Sequence, residues 1–458
     1  MHKEPRGILE NFWCATLWLF PITTPPFLIL GNIVAKPLSI LPAMMVVLIV
    51  LFTGGQRFKY FISREAKILY LFFIISIVGY IGSILVGAPE VDVIAIGYFF
   101  RGLIPLFVGI VFYLCFRMMN TNQKELKKSE LIILTAMSVS VAIEIIQFLI
   151  MNWFPELSFI VDAIDSVLVE VSPGAWIDRF HGLAYEPSWL ASQLTLIMLP
   201  LTLSRIIAKE TLGEMHFGLI RVRLEWVFFV VCLLGIVLAG SRAAVFSAIA
   251  MFFVAAFSGA NSVRKTMRNV LVFGITLLII IGASFNNAYV GDTFTAIVNN
   301  IDNLDQLISA VSAAPRFSAW IAAWKTFLQH PIWGVGLGNS TFFYAANVPD
   351  WALDYPEVQG WLSGSGIVNP KNLLLKLAAE TGLVGFVVFA IFVLRHFRGK
   401  NCGTRYKVLR NTGLVALIFN YFSLDSFALP TEWYLLGFIF VLGNETLRPK
   451  PALAIKGV

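Results

Sequence analysis

Three cations stand where a helix is about to begin. Arg242 follows Gly240-Ser241, Arg316 follows Pro315, and Lys371 follows Asn369-Pro370. Ser and Asn are favoured helix N-caps and Pro a favoured first-turn residue, so the spacing predicts all three cations at helix N-termini. That end of a helix is already positive, and a cation there costs about 0.3 kcal/mol or more. The cost disappears when an anion binds, because free backbone N–H groups beside an Arg fork form a phosphate or carboxylate site. One such cation alone would be read as reaching for lipid headgroups or pairing with a nearby carboxylate. Three coincident placements favour the anion site. A carboxylate falls in the same kind of place. Glu186 precedes Pro187 in "RFHGLAYEPSWLASQ", at the start of another helix. It can serve there as a cap or as a general base.

Other residues carry weaker signals. Arg101 lies about seven residues inside an apolar run, roughly 10 Å deep at 1.5 Å per residue, where an Arg needs a polar cavity or a partner. His181 and His330 have no ligand spacing to a second His or Cys, and the four cysteines are scattered, so no metal site is expected. The run "GVGLG" at 334–338 lacks the Lys-Ser/Thr of a phosphate loop and reads as a turn that lets backbones approach closely. Just before it, Phe317, Trp320, Ile321, Trp324, Phe327 and Leu328 share one helical face. An amphipathic helix over about 316–329, resting on a membrane surface and holding Arg316 at headgroup level, accounts for them.

The elements that must position these groups are apolar helices. The chain of 458 residues is 58% hydrophobic and 13% charged, with a mean hydropathy of +0.79. Apolar runs of about 20 residues recur along it, the pattern of an all-α polytopic membrane protein in one integral membrane domain, 1–458. About twelve spans are expected: 12–33, interrupted by Pro21, Pro25 and Pro26, then 37–53, 67–86, 94–116, 130–151, 184–205, 225–240, 242–259, 269–286, 372–394, 408–424 and 432–447. No cleavable signal pattern follows the first run. Of the 34 Lys and Arg, all but Lys36, Arg101, Arg179, Arg242, Arg316, Lys325, Lys371 and Lys376 fall in alternate connections. Those connections are then cytoplasmic, as are both termini. The net charge of +7 is explained by topology and does not call for nucleic acid. Two loops on the opposite side are long, 152–182 and 287–371, and loops of that length are usually functional.

Four pieces follow one another along the chain: "GLAYEPSW", "GSRAAVFSA", "RFSAWIAAWKTFLQHPIWGVGLGNS" and "KNLLLKLAAETGLVG". In this order they resemble the O-antigen ligase/polymerase superfamily of bacterial polysaccharide glycosyltransferases. The resemblance covers about residues 180–390 by motif and the whole chain by topology. It implies a glycosyl transfer on the periplasmic face of the bacterial inner membrane, without metal, nucleotide or other cofactor. The donor would be a glycan on undecaprenyl pyrophosphate, and the acceptor a sugar hydroxyl. A chain-length regulator protein and membrane lipid are further implied partners. Arg242, Arg316 and Lys371 would meet the leaving pyrophosphate. Arg179, Tyr185, Asn372 and Arg101 would be substrate-binding positions.

One departure bears on the reaction. The ligases carry a His followed by Asn, Ser or Gln, nine residues, then Gly-x-x-Gly. Here Asn372, Gly382 and Gly385 fit, but Lys371 stands in the His position. A free imidazole is a plausible base, whereas a free lysine amine keeps its proton to about pH 10.4. A polymerase that joins repeat units is therefore expected, with Lys371 on the pyrophosphate and Glu186 activating the acceptor hydroxyl. The alternatives are a ligase acting on lipid A core and, from another class, a lipid-linked oligosaccharide flippase or anion transporter. A transporter would be expected to show paired broken helices and repeats between its halves. A peptidoglycan-type polymerase would be expected to show an acidic loop signature that does not match here.

Overall fold

The computed structural model describes residues 6–28, 35–85, 93–171, 179–217, 220–258, 262–285, 291, 295, 314–363, 370–400 and 403–444. These residues are mostly helical. The longer helices are α1 Arg6–Trp18, α2 Ile40–Thr53, α3 Arg64–Leu85, α4 Val93–Met119, α5 Gln123–Trp153 and α6 Ser158–Leu168. Then come α7 Pro187–Gln193, α8 Leu199–Ala208, α9 Leu224–Leu238, α10 Arg242–Ser258 and α11 Val263–Phe285. The last are α12 Ala314–Gln329, α13 Ser340–Asn347, α14 Pro356–Leu362, α15 Leu373–His396, α16 Thr404–Tyr421 and α17 Pro430–Gly443. A π-helical turn, Leu194–Met198, joins α7 to α8. One antiparallel hairpin, β1 Glu214–Phe217 with β2 Ile220–Arg223, lies between α8 and α9.

Among the described residues, five helices are long and apolar enough to cross a membrane: Arg64–Gly82, Gly97–Met119, Gln123–Trp153, Pro187–Ala208 and Leu373–His396. Shorter apolar helices are Ile40–Thr53, Leu224–Leu238, Arg242–Ser258 and Pro430–Gly443. The first expected span, 12–33, is interrupted at its prolines, and its helix starts earlier, at Arg6. α1 ends at Trp18, and the backbone through Pro21, Pro25 and Pro26 is not helical, because proline removes an N–H and clashes with the preceding turn. That irregular stretch has a use. Thr23 accepts the Tyr185 N–H through its hydroxyl at 2.8 Å, and Thr24 donates its hydroxyl to the Glu170 carbonyl at 3.0 Å.

Ion pairs close one end of the bundle. Glu130 of α5 is buried and accepts two 2.6 Å hydrogen bonds from Arg205 of α8 and one of 2.6 Å from Arg405 of α16. A buried carboxylate needs such partners, so these arginines hold three helices together. Lys36 is likewise explained by a carboxylate, Glu170, 2.5 Å away.

The middle of α15 is broken. Gly382 sits at φ 61°, ψ −167°, inside a helix long enough to span a membrane. Backbone groups freed by a break must find partners where water is absent. Segment 331–338 provides them. Val335 and Gly336 donate to the carbonyls of Ala379 and Glu380, both at 2.9 Å. Leu383 and Val384 donate to Pro331 and Ile332 at 2.8 and 3.2 Å. The glycines of "GVGLG" make this approach possible. Gly334 and Gly338 have φ of 71° and 85°, and a Cβ on them would run into the backbone of Glu380 and Tyr98.

Candidate functional site

α10 begins at Arg242, directly after Ser241, whose carbonyl accepts the Val245 N–H at 3.0 Å. The turn before it is held by the stretch that leads into Glu186. Arg179 Nε donates to the Ala239 carbonyl at 3.3 Å, and the Phe180 N–H to Leu238 at 3.4 Å. Arg179 is thereby placed three residues from Arg242 by contact, although 63 separate them in sequence.

Glu186 occupies the N-cap position of α7, with Pro187 as the first helical residue. Its backbone is extended, at φ −149°, ψ 156°, and its side chain makes no capping bond to the helix. The carboxylate instead accepts the Ser188 hydroxyl at 2.6 Å and is partly exposed. Tyr185 beside it donates its N–H to Thr23, and its ring lies 5.1 Å from Trp189.

Arg316 is in the first turn of α12 and is exposed. The helix expected over 316–329 runs Ala314–Gln329. It buries the face that the aromatic pattern does not include. Ser318, Ala319, Ala322, Ala323 and Thr326 pack inward, and their small side chains let α13 and α15 come close. Phe317, Trp324 and Leu328 remain exposed, at 38, 48 and 58%. Trp320 turns in. Its Nε1 donates to the Pro370 carbonyl at 2.8 Å, and its ring lies 6.0 Å from Phe422.

Lys371 requires a correction. The reading of Asn369-Pro370 as cap and first turn puts Lys371 inside the helix. Asn369 lies outside the described residues, and the N-cap is Asn372, with α15 starting at Leu373. The Asn372 carboxamide oxygen reaches back to the Leu375 N–H at 3.1 Å, the local geometry that Asn favours at this position. Lys371 therefore precedes the cap. It is exposed and left-handed, at φ 47°, which is uncommon for a residue with a Cβ. Asn372 itself is fully buried, and its Nδ2 has no hydrogen-bond partner.

These helix starts are gathered at one end of the bundle. Ser192 of α7 donates to Asn420 at 2.6 Å, next to the end of α16. The Leu373 N–H at the start of α15 donates to Leu424 at 3.1 Å, just past that end. Trp320 meets Phe422 there, and α10 packs against both α7 and α16. Arg101 is elsewhere. It lies over the Tyr98 ring at 4.7 Å, beside the glycine turn that packs on the middle of α15.

The sequence reading assigned no role to a buried polar group on α15. Glu380 accepts the Ser340 hydroxyl at 2.6 Å, and Lys376 donates to the Asp425 carbonyl at 3.3 Å. Tyr344, outside the spans, lies close by, and burial together with the Glu380 charge pushes its phenol well above the ordinary range. The signal available in the sequence is Lys376 and Glu380, four apart in an otherwise apolar run.

The fold and the site define a class: a protein built of apolar helices that fits a multi-pass membrane protein, with cations and a carboxylate at helix starts gathered at one end. Residues 227–390 match the family model for O-antigen ligase. That stretch contains Arg242, Arg316, Lys371 and Asn372, and it supports the O-antigen ligase/polymerase superfamily and a glycosyltransferase-like enzyme for this chain. No curated protein matches the chain.

Proposed function

We propose that the protein is an O-antigen (polysaccharide repeat-unit) polymerase of the bacterial inner membrane. In this reading the chain crosses the membrane about twelve times, with the gathered helix starts at the periplasmic face and both termini in the cytoplasm; the alternation of basic connections supports it. The donor is a glycan on undecaprenyl pyrophosphate, and the acceptor is a sugar hydroxyl of another lipid-linked repeat unit. The acceptor oxygen attacks the anomeric carbon, and the bond from that carbon to the phosphate oxygen breaks. Undecaprenyl pyrophosphate leaves with the electron pair. Arg242, Arg316 and Lys371 meet the charge that develops on it, and three fixed cations stabilise a leaving pyrophosphate more than the bound donor. Glu186 takes the acceptor proton.

The observation that carries the reading is the meeting of α7, α10, α12 and α15 at the end of α16. Arg242, Arg316 and Lys371 also lie in the segment matched by the O-antigen ligase family. Lys371 favours polymerase over ligase, since it holds a charge where the ligases hold an imidazole. The test is reconstitution in vesicles with undecaprenyl-pyrophosphate repeat units and no lipid A. Ladders grown on those units are the expected result. Product that forms only when a lipid A core acceptor is added would make the protein a ligase.

A further inference from the structure

Residues 350–362, DWALDYPEVQGWL, form two short helical turns beside α12 and α15, and the mechanism above uses none of them. Their inward residues are Ala352 and Val358, both fully buried, and Trp361. Trp361 packs on the cluster of Ala322, Ala323, Tyr344 and Ala379, which fixes the segment against α12 and the first turns of α15. Gln359 Nε2 donates to the Leu353 carbonyl at 2.9 Å and ties the two turns together. The other face is open. Trp351 is 44% exposed, and its ring stands edge-on to Tyr355 at 6.3 Å and 88°. Asp350, Asp354 and Glu357 are exposed around this pair, and among the described residues none of them forms an ion pair. The segment contains no Lys or Arg.

This is not the composition of a lipid-headgroup anchor, where Trp and Tyr are accompanied by cations that snorkel. Three carboxylates would be repelled by anionic lipid and by the phosphates of the donor. They suit a ligand that is rich in hydroxyl donors and carries no negative charge of its own in this place. An aromatic face suits the C–H side of a pyranose ring, and a carboxylate accepts from its hydroxyls with charge-assisted hydrogen bonds. Position agrees. Ser363, directly after the segment, is eight residues before Lys371, so this end of the segment lies within about 28 Å of Lys371 even along fully extended chain.

Resting on the glycosyl-transfer reading, we propose that Trp351, Tyr355, Asp354 and Glu357 form a glycan-binding ledge that holds the sugar portion of a lipid-linked repeat unit while the cations hold its pyrophosphate. The ledge recognises sugar and is blind to lipid and phosphate.

The probe is the repeat-unit oligosaccharide freed of lipid and phosphate by mild acid. Binding to the full chain in nanodiscs is measured by saturation-transfer NMR and calorimetry. Wild type binds it. Trp351→Ala and Asp354→Asn weaken binding about tenfold, while Arg316→Ala leaves it unchanged. In the transfer assay both ledge variants raise KM for the lipid-linked unit by a similar factor with kcat within about twofold, as loss of uniform binding requires. Unchanged oligosaccharide binding in both variants overturns the ledge, and so does their loss of a protein partner with sugar binding intact. The two readings fail separately. Transfer by wild type with an unaltered KM in Trp351→Ala removes the ledge and keeps the transferase. Trp351-dependent sugar binding without any transfer by wild type keeps the ledge and removes the transferase.

Discussion

The indole N–H of Trp320, one turn beyond Arg316 on α12, donates a 2.8 Å hydrogen bond to the carbonyl of Pro370, one residue before Lys371 in the stretch that leads into α15. The two cations are thus coupled through one rigid side chain. Trp320→Phe keeps the ring and loses the bond, at a cost of about 1 kcal/mol. The melting temperature in detergent is expected to fall slightly, while kcat/KM for transfer falls about fivefold or more. A full-rate Trp320→Phe enzyme would mean that the coupling has no part in the reaction.

Removal of the arginine forks is expected to have the largest effect. Arg242→Ala and Arg316→Ala should each cut polymer formation by about a hundredfold or more while the protein still reaches the membrane. Lys at either position should restore activity only in part, since a point charge lacks the two-pronged geometry. Polymer length on gels, set against membrane protein level by immunoblot, measures this. Normal long-chain polymer in both alanine variants would leave the arginines as headgroup anchors.

Lys371 separates charge from proton transfer. As a pyrophosphate cation it should tolerate Arg and should lose most activity as His near neutral pH. A free imidazole has a pKa of about 6.5 and is mostly uncharged at that pH. The His variant should then recover as pH falls through that value, because protonation restores the cation. The reverse ranking, His active and Arg dead, would assign Lys371 the role of base.

At Glu186 the helix-cap and general-base roles give different series. Its side chain makes no bond to the α7 backbone and accepts from Ser188. Glu186→Gln preserves shape and removes basicity, so kcat should drop at least about a hundredfold with little change in melting temperature. A near-normal kcat in the Gln variant would exclude it as the acceptor base.

The glycine turn predicts stability and not chemistry. A Cβ at Gly338 meets the Tyr98 carbonyl oxygen, and the backbone φ is 85°. The atoms it meets, of Tyr98 and Gly102, are main chain and cannot give way. Gly338→Ala should cost about 3 kcal/mol. Gly97→Ala, where a Cβ meets nothing within 4 Å, should be neutral or stabilising by up to about 1 kcal/mol. Thermal unfolding of the purified variants distinguishes them, and equal melting temperatures would contradict the packing described here.

Local chemistry made much of this protein legible in its sequence. Long apolar runs appear as helices, and Ser241 before Arg242, Pro315 before Arg316 and Pro187 after Glu186 mark helix starts, because capping and proline geometry involve only neighbours. Even there, a contest between two nearby candidates was settled by fine geometry. Asn372 caps α15, and Lys371 moved out of the first turn. The aromatic stripe of α12 concealed its packing face, since alanines carry little hydropathy signal yet permit the closest helix contact. Only tertiary structure decided which helix starts share an end of the bundle. That depends on contacts between residues far apart in the chain: Arg179 with Ala239, Ser192 with Asn420 and Trp320 with Pro370. The same holds for the break at Gly382, where a sequence shows a glycine, but the partners of the freed backbone come from 331–338 and exist only once the two segments have met.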